Sequence, residues 1–229
     1  MALGFLAAIY LAAREGRRAG IAPAKMWDAG LYALLFGIMG ARIVHVLLDL
    51  EYYASRPLEI AMINRGGLAI HGGLIAGIVA ACLFVKRNEM PLWKTADAFA
   101  PYIALGQAIG RIGCLLNGCC YGMATGLPFG IALPGHLQRL HPTQVYSSVF
   151  LFLTFIALKR MYHRKRFDGE VFFSYLLIFS AGRFFIDFLR GDLRIVYFGL
   201  RTSQFISLAI FMIAFLCLRF RRANAKTKG

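Results

Sequence analysis

Acidic side chains are scarce in this chain of 229 residues. There are 11 Asp plus Glu, and all charged residues together make up 16%, against roughly 25% in soluble domains. Tryptophan occurs twice and proline seven times. No 20–50-residue period and no low-complexity tract is present, which excludes solenoids and arrays. So little polar surface excludes a disordered chain, a collagen-like chain and an ordinary soluble domain. What is abundant is apolar: 59% of residues, with a mean hydropathy of +0.62. The charges that remain are lopsided, 26 Lys plus Arg against 11 acids. In a soluble protein that surplus points to nucleic acid. Here the basic residues lie in short loops between apolar runs, so they read as a membrane orientation signal and no nucleic-acid partner is expected.

A bilayer core about 30 Å thick needs about 20 helical residues. Segments 29–48, 66–85, 96–115, 142–159, 170–189 and 201–220 have that length and composition. Met1 to Ala13 is apolar but covers only about 20 Å as a helix. It lacks the basic start and small-residue cleavage site of a signal peptide, and is read as a first span missing its outer half. Loops 14–28, 86–95 and 159–169 and the tail 219–229 hold 17 Lys/Arg, whereas the alternate loops hold six. This split predicts an all-α polytopic membrane protein of seven helices, the first shortened, with the N-terminus outside and the C-terminus in the cytoplasm. Residues 1–229 form one transmembrane domain in this reading. Residues 116–141, rich in Gly and Pro, are an outer loop region of turns.

Depth sorts the polar residues. His71 falls about five residues, roughly 8 Å, below the outer end of its span. Arg42, Arg111, Arg183 and Asp187 lie near the outer ends of three others, with His45 and His141 on the same side. Intramembrane ionisable residues face a bundle interior, a partner or a wet cavity, and the bland alternative for each Arg is snorkelling to the interface. Arg183 and Asp187 have the i, i+4 spacing of a helix-face ion pair. Guanidinium forks suit phosphate, and an imidazole can exchange a proton near neutral pH. The gathering of both kinds at headgroup depth points to a site for an anionic phospholipid. Polar residues are almost absent from the inner halves, which counts against an anion transporter.

The chemistry-bearing motifs are Gly66-Gly67-Leu68-Ala69-Ile70-His71-Gly72-Gly73, Gly110-Arg111-Ile112-Gly113-Cys114-Leu115-Leu116-Asn117-Gly118-Cys119-Cys120-Tyr121-Gly122, His141-Pro142-Thr143-Gln144-Val145-Tyr146, and Gly182-Arg183-Phe184-Phe185-Ile186-Asp187-Phe188-Leu189-Arg190. Glycines beside His71 admit a ligand or, more plainly, a neighbouring helix. Pro142 suits the first turn of a helix. Of five cysteines, Cys82 and Cys217 read as apolar packing. Cys114, Cys119 and Cys120 cluster on the outer side, open to a Cys114–Cys119 disulfide or to zinc with His136 or His141, although the spacing matches no standard zinc pattern and no metal is assigned.

These four motifs, in this order and over nearly the whole chain, resemble the prolipoprotein diacylglyceryl transferase family. The resemblance implies a seven-helix enzyme of the bacterial inner membrane. It would move the diacylglyceryl group of phosphatidylglycerol to the lipobox cysteine thiol of a preprolipoprotein, the first step of lipoprotein maturation, without a cofactor. It implies that Arg111 and Arg183 hold the phosphate and that His71 helps deprotonate the thiol or orients the lipid. Arg42, Gly72, Gly73, Asn117, Gly118, Gly122, His141 and Asp187 would contribute to substrate binding. The sequence departs from the family at Cys114, where Asn is usual, at Cys119, where Glu is usual, and at Phe179, where Tyr is usual. A second reading from another class is a non-catalytic phospholipid-binding membrane protein of the same fold.

Overall fold

The computed structural model describes residues 2–63, 66–133, 135, 137–192 and 195–226. Among them are eight α-helices: α1 (Ala2–Arg18), α2 (Pro23–Leu48), α3 (Leu50–Ala54), α4 (Ile70–Arg87), α5 (Leu92–Leu116), α6 (Thr143–Tyr162), α7 (Glu170–Leu189) and α8 (Thr202–Lys226). Six of these, α2 and α4 to α8, are long and apolar enough to cross a bilayer. They coincide with the six apolar segments read from the sequence, and the chain is a multi-pass membrane protein. At most 39% of any spanning window is buried in the protein, in α5. Apolar side chains such as Leu35, Ile75, Leu153 and Leu216 are exposed, as expected of helix faces that meet lipid.

The described residues group into two compact units, Ala13–Thr95 and Met1–Ala12 with Ala96–Gly229. In the first, α2 and α4 pack at glycine and alanine positions. A Cβ on Gly72 would lie 2.6 Å from the Gly40 carbonyl oxygen, and one on Gly73 3.0 Å from that of Gly37. The glycines around His71 thus bring two backbones together, the small-residue packing of membrane helices. Gly72→Val should therefore drive α2 and α4 apart at a cost of about 1–3 kcal/mol, read as a lower melting temperature in detergent. Unchanged melting with lost activity would instead make Gly72 a ligand-contact residue.

Between α2 and α4 runs an irregular strap containing α3 and a 3-10 helix, Pro57–Ala61. Its return to the bundle is pinned where the Ala69 N–H donates to the Ala41 carbonyl at 3.0 Å.

In the second unit α1 meets α5 at Gly4 and Gly106. The helix α7 packs against both α6 and α8. Asp97, fully buried at the start of α5, accepts the N–H groups of Gly169 at 2.8 Å and Phe172 at 2.9 Å, and the Lys165 ammonium at 2.9 Å. It closes the open N-terminus of α7. Buried charge is therefore not confined to the outer ends of the helices as the sequence suggested. The all-α expectation also needs one correction. A short antiparallel pair, β1 (Ile195–Tyr197) and β2 (Leu200–Arg201), precedes α8. Its two-residue turn has positive φ at Phe198 and Gly199, the geometry that matches hairpin twist.

Candidate functional site

Helical periodicity assembles the site. On α7, Phe179, Arg183, Ile186 and Asp187 share one face, continued by Arg190 just beyond the helix. On α6, Ser147, Phe150 and Leu151 do the same. With Arg111 from the last turns of α5 they line a single hollow with a cavity volume of about 20 Å³, room for one water-sized group. Arg183 forms the more open wall: its side chain is 32% exposed, whereas that of Asp187 is 2% exposed.

The charges around the hollow do not balance. Asp187 lies 3.6 Å from Arg183 Nε and 3.8 Å from Arg190 Nη1. Asp192 takes Arg190 in a bidentate grip, 2.9 Å from Nε and 2.6 Å from Nη2. Burial alone would lower the Arg190 pKa, but the hydrogen bonds and charge of Asp192 outweigh it and hold the guanidinium above its ordinary range. Arg111, Arg183 and Arg190 thus outnumber the two carboxylates, and one positive charge is left over. Arg201 adds another. It is buried, donates from Nη2 to the Arg190 carbonyl, and among the described residues has no hydrogen-bond partner at Nε or Nη1. Unneutralised positive charge in an apolar bundle is costly unless an anion completes it.

The loop after α5 is sewn to the end of α7. Gly122 N–H donates to the His141 carbonyl at 3.0 Å, Met123 N–H to Leu189 at 2.8 Å, and Gly191 N–H to Tyr121 at 3.1 Å. A side chain on Gly122 would meet the His141 and Leu189 carbonyl oxygens at 2.7 and 2.9 Å, so only glycine allows this crossing.

The residues anticipated from sequence fall into three groups. Arg111, Arg183 and Asp187 line the hollow together. Asn117, Gly118, Gly122 and His141 lie in the turn and loop of the same unit but do not line it. Asn117 is exposed and its N–H continues α5 by bonding Gly113. The Nδ1 of His141 faces the Tyr146 hydroxyl at 3.3 Å. Arg42, His71, Gly72 and Gly73 belong to the Ala13–Thr95 unit. There His71 is exposed in the first turn of α4, and Gly72 and Gly73 serve the α2–α4 seam.

Arg42 is committed to the protein's own backbone rather than left open to a lipid phosphate. Its Nε donates to Ile60 at 2.9 Å. Its Nη1 donates to Gly66 at 2.8 Å and Gly67 at 2.9 Å, and its Nη2 to Glu59 at 2.5 Å. The Tyr53 ring covers it at 5.2 Å. Arg65, His136 and Arg194, which the sequence puts on the outer side, lie outside the described residues. Arg190 has no role on sequence grounds, although its spacing from Asp187 and Arg183 puts it on their helix face. Arg201 falls in an outer loop by sequence, and no local pattern signals its burial.

Comparison with known proteins agrees with the motif resemblance. The family profile described as prolipoprotein diacylglyceryl transferase matches residues 1–220. Phosphatidylglycerol–prolipoprotein diacylglyceryl transferase of Bacillus cereus (strain G9842) is 38% identical over 229 residues, covering 96% of this chain and 84% of that protein. The protein of the same name from Bacillus anthracis is 39% identical over 232 residues with the same coverage. That of Bacillus mycoides (strain KBAB4) is 38% identical.

Proposed function

The chain belongs to the prolipoprotein diacylglyceryl transferase family, and from that premise we propose that it transfers the diacylglyceryl group of phosphatidylglycerol to the lipobox cysteine of a preprolipoprotein. One observation carries the reading: guanidinium groups from α5, α7 and the segment after α7 surround one hollow with more positive charge than its carboxylates neutralise.

The reaction breaks the bond between a glyceryl carbon and a phosphate oxygen. The incoming sulfur forms the new C–S bond, and the electron pair departs on glycerol phosphate. Negative charge grows on that phosphate as the bond stretches. Donors fixed around it lower the barrier without having to reorganise. Arg111 and Arg183 are assigned to the phosphate, and Asp187 and Arg190 orient Arg183. His71 is assigned to the thiol proton or to lipid orientation. Asn117, Gly118, Gly122 and His141 shape the outer rim, and Arg42 with Gly72 and Gly73 supports the strap and seam around His71.

We place the protein in the bacterial inner membrane with seven spans. The concentration of Lys and Arg in alternate loops supports an external N-terminus and a cytoplasmic C-terminus. At 17 residues, α1 reaches about 26 Å, but its last turns carry Arg14, Glu15, Arg17 and Arg18, and it stands as the shortened first span. The decisive experiment is complementation of a bacterium depleted of its own transferase, with membrane insertion checked by immunoblot. Growth and lipoprotein labelling should be restored. Failure at normal membrane levels would favour a lipid-binding protein without transferase activity.

A further inference from the structure

Three of the five thiols meet at the outer end of α5. The Sγ atoms of Cys114, Cys119 and Cys120 all lie within 4.8 Å of one another. The backbone is built to bring them there. Cys119 N–H and Sγ both reach the Cys114 carbonyl, at 3.1 and 3.6 Å. Gly118 and Cys120 have φ of +68° and +61°. The second is a conformation that few side-chain-bearing residues adopt. From below, α6 clamps the turn: Thr143 Oγ1 donates to the Cys120 carbonyl at 2.8 Å, and Gln144 Nε2 to that of Cys119 at 2.8 Å. Both clamping side chains are 1% exposed, and among the described residues the Gln144 Oε1 has no hydrogen-bond partner.

A disulfide uses two sulfurs and leaves the third idle. A thiophilic ion uses all three. With metal–sulfur bonds of about 2.3 Å, three thiolates around one ion stand roughly 4 Å apart, which these side chains reach with small rotations. Among the described residues no His, Asp or Glu joins the cluster, so the three thiolates are the ligands it supplies to a tetrahedral ion. The charge also fits. Three thiolates and a dication carry −1, and Cys114 lies in electrostatic reach of Arg111, as Cys120 does of Arg183 and Arg190.

We propose that Cys114, Cys119 and Cys120 together bind one zinc-class ion at the turn after α5. The inference stands on the geometry of the three thiols and is independent of the transferase reading. On binding, each thiol gives up its proton to solvent, because a coordinating thiol is deprotonated outright.

The test uses the full chain, purified reduced in detergent, stripped with a chelator and titrated with Co²⁺. One equivalent should raise a thiolate-to-cobalt charge-transfer band that Zn²⁺ abolishes. Cys114→Ser, Cys119→Ser and Cys120→Ser should each lose the band, while Cys82→Ser and Cys217→Ser keep it. Melting curves of the variants separate lost ligation from misfolding. Absence of the band in reduced wild type, or its survival in the three variants, overturns the site. So does a disulfide among these cysteines in membranes alkylated before lysis.

Discussion

Arg183→Ala should reduce diacylglyceryl transfer to a lipobox peptide by a factor on the order of 10²–10³ or more, the loss typical of removing one donor aimed at a developing negative charge. Arg183 lines the hollow with a half-buried side chain, so its removal takes away a guanidinium within reach of an entering phosphate. Arg183→Lys should recover only part of the rate, because a point charge does not reproduce a planar fork of donors. The fold should survive, since Asp187 keeps Arg190 as an ion-pair partner; a melting curve in detergent checks this. Arg111→Ala should behave in the same way without disturbing any carboxylate pair in the hollow. Wild-type transfer by either variant would end the arginine mechanism.

Asp97→Ala should destabilise the protein by about 3–5 kcal/mol, the range for breaking a buried charge pair, with no direct effect on the chemistry. Asp97 is fully buried, yet it satisfies two N–H groups at the start of α7 and the Lys165 ammonium. Its loss leaves those donors unpaired in an apolar surround. Asp97→Asn should cost less, because an amide oxygen can still accept from the backbone. The Lys165 partner has its own pH signature. Burial lowers its pKa, but Asp168 and Asp97 raise it more, and the net shift is upward. A raised lysine pKa contributes stability that is fully present below the unfolded value of about 10.4 and is lost as pH rises through the folded value. Unfolding midpoints at pH 8 should therefore separate Asp97→Ala from wild type, and the gap should narrow above about pH 10.5. An unchanged midpoint at pH 8 would show that α7 is held by packing alone.

Both substitutions test features of different legibility. Arg183 and Asp187 could be paired from their spacing, because i and i+4 positions of a helix are neighbours wherever the helix goes. Arg190 follows from the same periodicity, once the helix is known to end just before it. Asp97 could not be assigned in this way. Its partners lie 68 to 75 residues away, and nothing near it in the sequence distinguishes a helix cap from a solvated interfacial acid. The same limit applies to Arg42. Its depth in a spanning segment suggested a ligand, whereas its donors meet carbonyls of the strap 17 to 25 residues on. Gly72 and Gly73 were open to two readings, and the backbone of α2 chose packing.

Taken alone, the chain's residues settled the membrane setting, the six long spans and the helix faces on which Arg111, Arg183 and Asp187 sit. Hydropathy and helical period act over a few neighbouring residues and need no knowledge of the rest. Tertiary structure decided how each guanidinium is spent, how Arg201 comes back beneath the end of α7, and how three thiols meet above α6. Those outcomes depend on where distant backbone carbonyls and left-handed turns come to rest, and hydrogen-bond geometry over a few ångströms is not written in composition.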